Sequence, residues 1–89
     1  MNLVSKYTIT FARSARKELE ALDAAIFSNV FRRIEALADF PRPDGCRKIR
    51  GERTAWRIRV GDYRVIYAID DTNRNVDIIA VRHRSDAYR

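Results

Sequence analysis

From Val4 to Phe11 the chain reads Val-Ser-Lys-Tyr-Thr-Ile-Thr-Phe, a near alternation of β-branched, aromatic and polar residues that predicts a first strand. From Ser14 the period lengthens. Ala12, Ala15, Leu19 and Leu22 recur at spacings of three and four, which marks one face of a helix with Ser14 as its cap and Arg16, Lys17, Glu18 and Glu20 turned to water. After a break near Asp23, a wide apolar stripe of Ile26, Phe27, Val30, Phe31, Ile34 and Leu37 stands opposite Arg32, Arg33 and Glu35. That stripe predicts a second, antiparallel helix whose inner surface covers a sheet. Phe40-Pro-Arg-Pro-Asp-Gly ends it, because neither proline nor glycine continues a helix well.

The most informative pattern is Trp56-Arg-Ile-Arg-Val-Gly-Asp-Tyr-Arg-Val-Ile-Tyr67. Gly61-Asp62 between two β-prone runs predicts a hairpin with a two-residue loop, pairing Val60 with Tyr63, Arg59 with Arg64, Ile58 with Val65, Arg57 with Ile66 and Trp56 with Tyr67. Alternation then sends Trp56, Ile58, Val60, Tyr63, Val65 and Tyr67 to one face and Arg57, Arg59 and Arg64 to the other. Like charges directly across two strands are unfavourable by up to about 1 kcal/mol, so Arg59 opposite Arg64 needs a reason beyond solubility.

A last strand, Val76 to Arg82, follows a turn around Asp70 to Asn75. Its register depends on loop parity. A five-residue loop, Asp71 to Asn75, pairs Arg64 with Arg82, Val65 with Val81 and Tyr67 with Ile79, whereas an even-numbered loop buries Arg82 under the helices. The odd loop is expected, since an unpartnered charge in an apolar layer costs several kcal/mol. It places Arg57, Arg59, Arg64 and Arg82 at one end of the outer face, and an apolar patch of Ile66, Ala68, Val76, Ile78 and Ala80 at the other. Such a patch suits protein docking. His83 is expected on the helix side by the same parity. The tail is short enough to curl Tyr88 back over the arginines, whose charge would favour its phenolate.

Composition sharpens the chemistry. The 89 residues suit one domain, 1–89, of class α+β: an N-terminal strand, a helical hairpin, then a mainly antiparallel curved sheet in the order β-α-α-β-β-β. Residues 1–44 hold seven Lys/Arg against six Asp/Glu, while residues 45–89 hold eleven against six, so the second half carries nearly all of the +6 net charge. Fifteen of the eighteen basic residues are Arg, whose planar fork grips phosphate in two-pronged fashion. Nucleic acid is therefore the leading partner, with an acidic protein next. Cys46 is the sole cysteine, so no internal disulfide or cysteine-based zinc cluster is possible; with no apolar leader or membrane span, a reducing, cytoplasmic setting is expected. One His and one Cys without activating context offer no hydrolase triad. Scattered carboxylates suggest no metal site, and three glycines outside any phosphate-loop spacing suggest no nucleotide cofactor. A cationic cluster with a tyrosine remains. That set can stabilise the charge that builds on a phosphate when a ribose 2′-oxygen attacks it.

Lys48-Ile-Arg-Gly51, the Trp56–Tyr67 stretch and the ending Val81-Arg-His-Arg-Ser-Asp-Ala-Tyr88 together resemble the RelE/ParE superfamily of bacterial type II toxin-antitoxin toxins, across essentially the whole chain. The likeness is nearer the RelE branch, whose members cut messenger RNA in the ribosomal A site, than the ParE branch, which poisons DNA gyrase. It implies a RelE-like fold, a metal-independent endoribonuclease that inhibits translation, and active-site roles for Arg57, Arg59, Arg64, Arg82 and Tyr88. It also implies a cognate antitoxin forming a hetero-oligomer with the toxin, the ribosome and mRNA as targets, and operator DNA reached through the antitoxin. One departure stands out. RelE has lysines where this chain has Arg57 and Arg59, and a guanidinium is a poor proton acceptor, so Arg59 is expected to hold phosphate, Tyr88 as phenolate is the candidate base, and the source of the base stays open. A gyrase poison and a non-catalytic basic binding module are the alternatives.

Overall fold

A computed structural model describes residues 6–85. Strand β1 (Thr8–Phe11) leads through Ala12 into α1 (Arg13–Glu20), and α2 (Ala24–Ala36) follows. β2 (Arg47–Lys48), β3 (Ala55–Val60), β4 (Tyr63–Asp70) and β5 (Asn75–His83) complete the chain. The sheet order is β1-β5-β4-β3-β2, with β1 parallel to β5 and the other pairs antiparallel. This is the α+β arrangement that the patterns call for, with the two-residue β2 added at the edge. Of the stretch 4–11, the described part is strand only from Thr8.

Both helices lay apolar positions on one sheet face. Ala15 and Leu19 of α1 and Val30, Ile34 and Leu37 at α2 pack in one core with Ile58, Val65, Tyr67, Ile69, Val76 and Ile78. Phe27 departs from the expected stripe: it is exposed at the rim and stacks on Phe31, which stacks on Phe11. Ser14 is not a cap either. The cap position is Ala12, without a side-chain hydrogen bond, and Ser14 lies inside α1 with its hydroxyl donating to the carbonyl of Ile79 at 3.1 Å.

The β3–β4 hairpin has the expected register at every pair from Val60↔Tyr63 to Trp56↔Tyr67. Gly61, with φ +60°, takes the first loop position, which in a II′ turn requires a conformation that L side chains resist. The β4–β5 pairing differs from expectation in an instructive way. Asp70 pairs with Asn75, so the loop is Asp71–Arg74 and even, yet Arg64 still pairs with Arg82 and Val65 with Val81. A β-bulge reconciles the two: Ile66 pairs with Ala80 and Tyr67 with Ile78, leaving Ile79 as the extra residue. Ahead of the bulge Val76 and Ile78 point into the core, both at 0% exposure; beyond it Val81 does, and Arg82 points out. The apolar patch expected on the outer face thereby loses Val76 and Ile78 to the core, while Ile66 and Ala68 stay half-buried there. Polar groups take the vacated positions, with Thr10 donating to Asp77 at 2.8 Å and Asn75 donating to Thr10 at 3.2 Å.

The loops are tied together at the far end. Tyr7 donates to Asp71 at 2.6 Å, and Arg42 meets the same carboxylate through two nitrogens while lying over the Trp56 ring at 5.1 Å. Asp70 accepts from the Asn73 backbone at 3.0 Å and its side chain at 2.9 Å, fixing the turn that Arg74 closes with φ +54°. Tyr67, fully buried, donates to Pro41 O at 2.8 Å, and burial, followed by the neighbouring Cys46 thiol, holds its phenol protonated.

The hydrogen bond from Arg42 holds Asp71 below its usual carboxylate value of 3.8, with the Tyr7 hydrogen bond adding to this, and the Asn73 backbone does the same for Asp70. The unfolded chain therefore takes up these protons first. The contribution of these two carboxylates to stability is fully present above 3.8 and is lost as pH falls through their lower folded-state values. Urea titrations at a series of pH values should show this decline, and Asp71→Asn should flatten it; an unchanged slope would remove Asp71 from the account.

Candidate functional site

Three strands present one row of guanidiniums. Arg59 of β3 stands opposite Arg64 of β4, which stands opposite Arg82 of β5. Neighbouring strands lie about 4.8 Å apart, and unit charges about 5 Å apart repel by about 1 kcal/mol even in water. Arg57, one outward position along β3, pairs with Ile66 on one side and with Arg47 of β2 on the other. A cleft of about 370 Å³ opens beside this row, lined by Lys48, Ile49, Arg50, Arg57, Arg64, Ile66 and Arg82. The fold thus brings Arg57, Arg64 and Arg82 to one cavity. Arg59 shares their face but not the lining, and is exposed where Arg57 and Arg64 are half-buried. Tyr88 lies outside the described residues.

Two sets of residues in or beside the cleft escape a reading by strand alternation. Lys48 and Arg50 form the cleft's outer wall, brought there because β2 adds to the free edge of β3 and Ile49 N–H donates to Ala55 O at 2.9 Å. The basic Arg47–Arg50 run is the signal that could have found them. Lys48 brings the cleft something its arginines lack, because an amine, unlike a guanidinium, can give up its proton. Glu18 is the other. Expected in water, it accepts the Val81 N–H at 2.8 Å through one carboxylate oxygen, and its other oxygen lies 3.5 Å from Arg82 Nε. Arg82 thus has a carboxylate beside it, delivered by a helix instead of a strand. His83 points to the helix side, edge-on to Tyr63 with ring centroids 5.2 Å apart, and its Nδ1 lies 2.9 Å from Ser85 Oγ.

Such a site suits an oxyanion held by several forks at once, with an apolar floor at Ile49 and Ile66. The chain matches the family of the ParE toxin of type II toxin-antitoxin system, parDE, over residues 9–88. It belongs to the RelE/ParE superfamily of toxins. Toxin RelG of Mycobacterium tuberculosis is 36% identical over 87 residues, covering 93% of this chain and 97% of that protein. Among solved structures, the toxin-antitoxin complex RelBE2 of the same organism superposes with a TM-score of 0.78 at 32% identity, over 89% of this chain and 99% of that one. The archaeal RelE-RelB complex of Pyrococcus horikoshii gives 0.79 at 25% identity, over 89% and 96%. In this RelE/ParE toxin the guanidinium row lies across three strands, on the outer face of the sheet.

Removing one phosphate-binding cation should flatten the dependence of log affinity on log salt by about 0.7 for a single strand. Arg64→Ala is expected to weaken polyuridylate binding and reduce that slope, while Arg33→Ala, on the exposed side of α2, leaves both unchanged. Fluorescence anisotropy across a salt series measures this.

Proposed function

We propose that this type II toxin is a ribosome-dependent endoribonuclease that cuts mRNA in the A site, without a metal ion, and is neutralised by a cognate antitoxin. The convergence of Arg57, Arg64 and Arg82 on one cleft is the observation that carries this reading. In the proposed step the 2′-oxygen of a ribose attacks the adjacent phosphorus, a 2′-O–P bond forms, and the P–O5′ bond breaks. Negative charge grows on the non-bridging oxygens as this happens, and fixed guanidiniums aimed at them stabilise the transition state more than the ground state. The products are a 2′,3′-cyclic phosphate and a 5′-hydroxyl. The proton leaving the 2′-hydroxyl needs an acceptor, and the departing 5′-oxygen needs a donor. Arginine cannot accept; Tyr88 as phenolate is the proposed base, with Lys48 the alternative from the cleft wall.

A solved RelE-RelB complex and RelBE2 show related toxins with their antitoxins. By the same reasoning, an acidic, partly apolar antitoxin segment would cover the basic face of this chain. The matched family is that of ParE, which keeps gyrase inhibition as the competing reading.

Arg64→Ala and Arg82→Ala should each lower the rate of cleavage of ribosome-bound message by about 10²–10³. Tyr88→Phe and Lys48→Met should separate the two proton acceptors, since loss of the true base lowers the rate and removes the corresponding limb of the pH profile. Primer extension on cellular messages after induction, run beside a DNA-damage reporter, distinguishes the readings. Cut messages with a silent reporter support the ribonuclease; intact messages with an active reporter support gyrase poisoning.

A further inference from the structure

We propose that Glu18 is a positioning residue for Arg82, and that it restrains this arginine's grip on RNA while aiming it for the chemical step. The inference rests on the RNA-cleaving reading for its catalytic half only. Its basis is geometric. Glu18 uses its two carboxylate oxygens separately, one accepting the Val81 N–H at 2.8 Å and the other 3.5 Å from Arg82 Nε. The backbone bond fixes the carboxylate relative to β5, so the second oxygen is a stationary target for the guanidinium of the very next residue.

The need for such a device follows from the bulge. β1 ends at Phe11, paired with Ile78, so β5 beyond that point has no strand on that side. α1 takes over. Ala12 N–H donates to Ile78 O at 2.9 Å, Ser14 to Ile79 O at 3.1 Å, and Glu18 receives Val81 N–H. Ser14 and Glu18 lie four residues apart, one turn of helix, and so present their side chains to the strand together. Of these three hydrogen-bonding groups only Glu18 carries charge, and it alone meets a residue that lines the cleft, Arg82.

A long arginine side chain on an exposed strand otherwise samples many rotamers, and ordering it at the moment of reaction costs entropy. Tethering Nε leaves the two terminal nitrogens of the fork for phosphate. The same carboxylate adds one negative charge beside the anion site, which weakens binding of RNA before reaction. Glu18→Gln keeps a side-chain oxygen for the Val81 N–H and removes the charge. The expected result is tighter binding of an uncleavable 2′-deoxy message analogue, by about threefold at low salt, the effect of a unit charge about 6 Å away in water. Cleavage of ribosome-bound message should slow by about ten- to 100-fold, the cost of a misplaced group.

The effect on rate must pass through Arg82: in the Arg82→Ala background, Glu18→Gln should leave the rate unchanged while still tightening binding, because the repulsion between the carboxylate and the anion does not need the arginine. Glu18→Ala, which also drops the backbone bond, should speed hydrogen exchange at the Val81 amide, whereas Glu18→Gln leaves it protected. Unchanged or weaker binding by Glu18→Gln, or an equal effect on rate with and without Arg82, would overturn the inference. A wild-type protein that cuts no message would instead sink the ribonuclease reading, and the binding comparison would still decide the role of Glu18.

Discussion

Inserting Ile79 between the Ile66↔Ala80 and Tyr67↔Ile78 pairs offsets β5 by one residue, and the two halves of that strand depend on the offset for opposite purposes. Upstream, Val76 and Ile78 complete the core under the helices. Downstream, Arg82 comes level with Arg64. Without the bulge, the even Asp71–Arg74 loop would turn Arg82 inward; with an odd loop and no bulge, Asp77 would face the core in place of Ile78. Either alternative buries an unmatched charge, at a cost of several kcal/mol. The bulge itself disturbs the ladder, and α1 makes good part of the disturbance with the Ser14 hydroxyl and the Glu18 carboxylate. A helix whose apolar side belongs to the core thus has a polar side committed to the strand that carries the site.

The electrostatic character of the arginine face follows. Three guanidiniums in one cross-strand row gain nothing from one another; they are stable only because water, Glu18 and the surrounding structure absorb the repulsion. An anion entering the cleft would replace part of that compensation. The abundance of arginine has a second effect. Permanent positive charge is ideal for holding phosphate but leaves proton transfer to few groups. Tyr67 is buried with its phenol held protonated, and the Tyr7 phenol, hydrogen-bonded to Asp71, also sits above its usual value. Neither lies among the cleft residues.

Local patterns foretold the helices, the β3–β4 register and the gathering of the four arginines, because a two-residue turn with glycine leaves a hairpin little choice and period-two alternation does the rest. The bulge was hidden by composition. Residues 78–81 read Ile-Ile-Ala-Val, and an unbroken apolar run shows no phase change, although the three-residue spacing between inward Ile78 and Val81 is odd for a regular strand. Glu18 was invisible for another reason. Helical periodicity separates apolar from polar positions, but it cannot say which polar residue will meet the unpaired end of a distant strand. Similarly, β2 is two residues long, too short to alternate, so the wall holding Lys48 and Arg50 was legible only as charge. Tyr88 lies outside the described residues, and its place over the arginines stays an expectation.

The short edges of the sheet carry a consequence of their own. β1 and β2 flank it, with four and two residues, and β2 is exposed and wholly cationic. Unpaired strand edges invite other chains to add, and lysine or arginine at an edge is a common defence against that. Arg47 and Lys48 thus guard an edge of the sheet as well as contributing to its charge. Neutralising them would surrender that protection, so a variant of this build with an uncharged β2 would need a longer loop, a proline or a permanent partner to cover the edge.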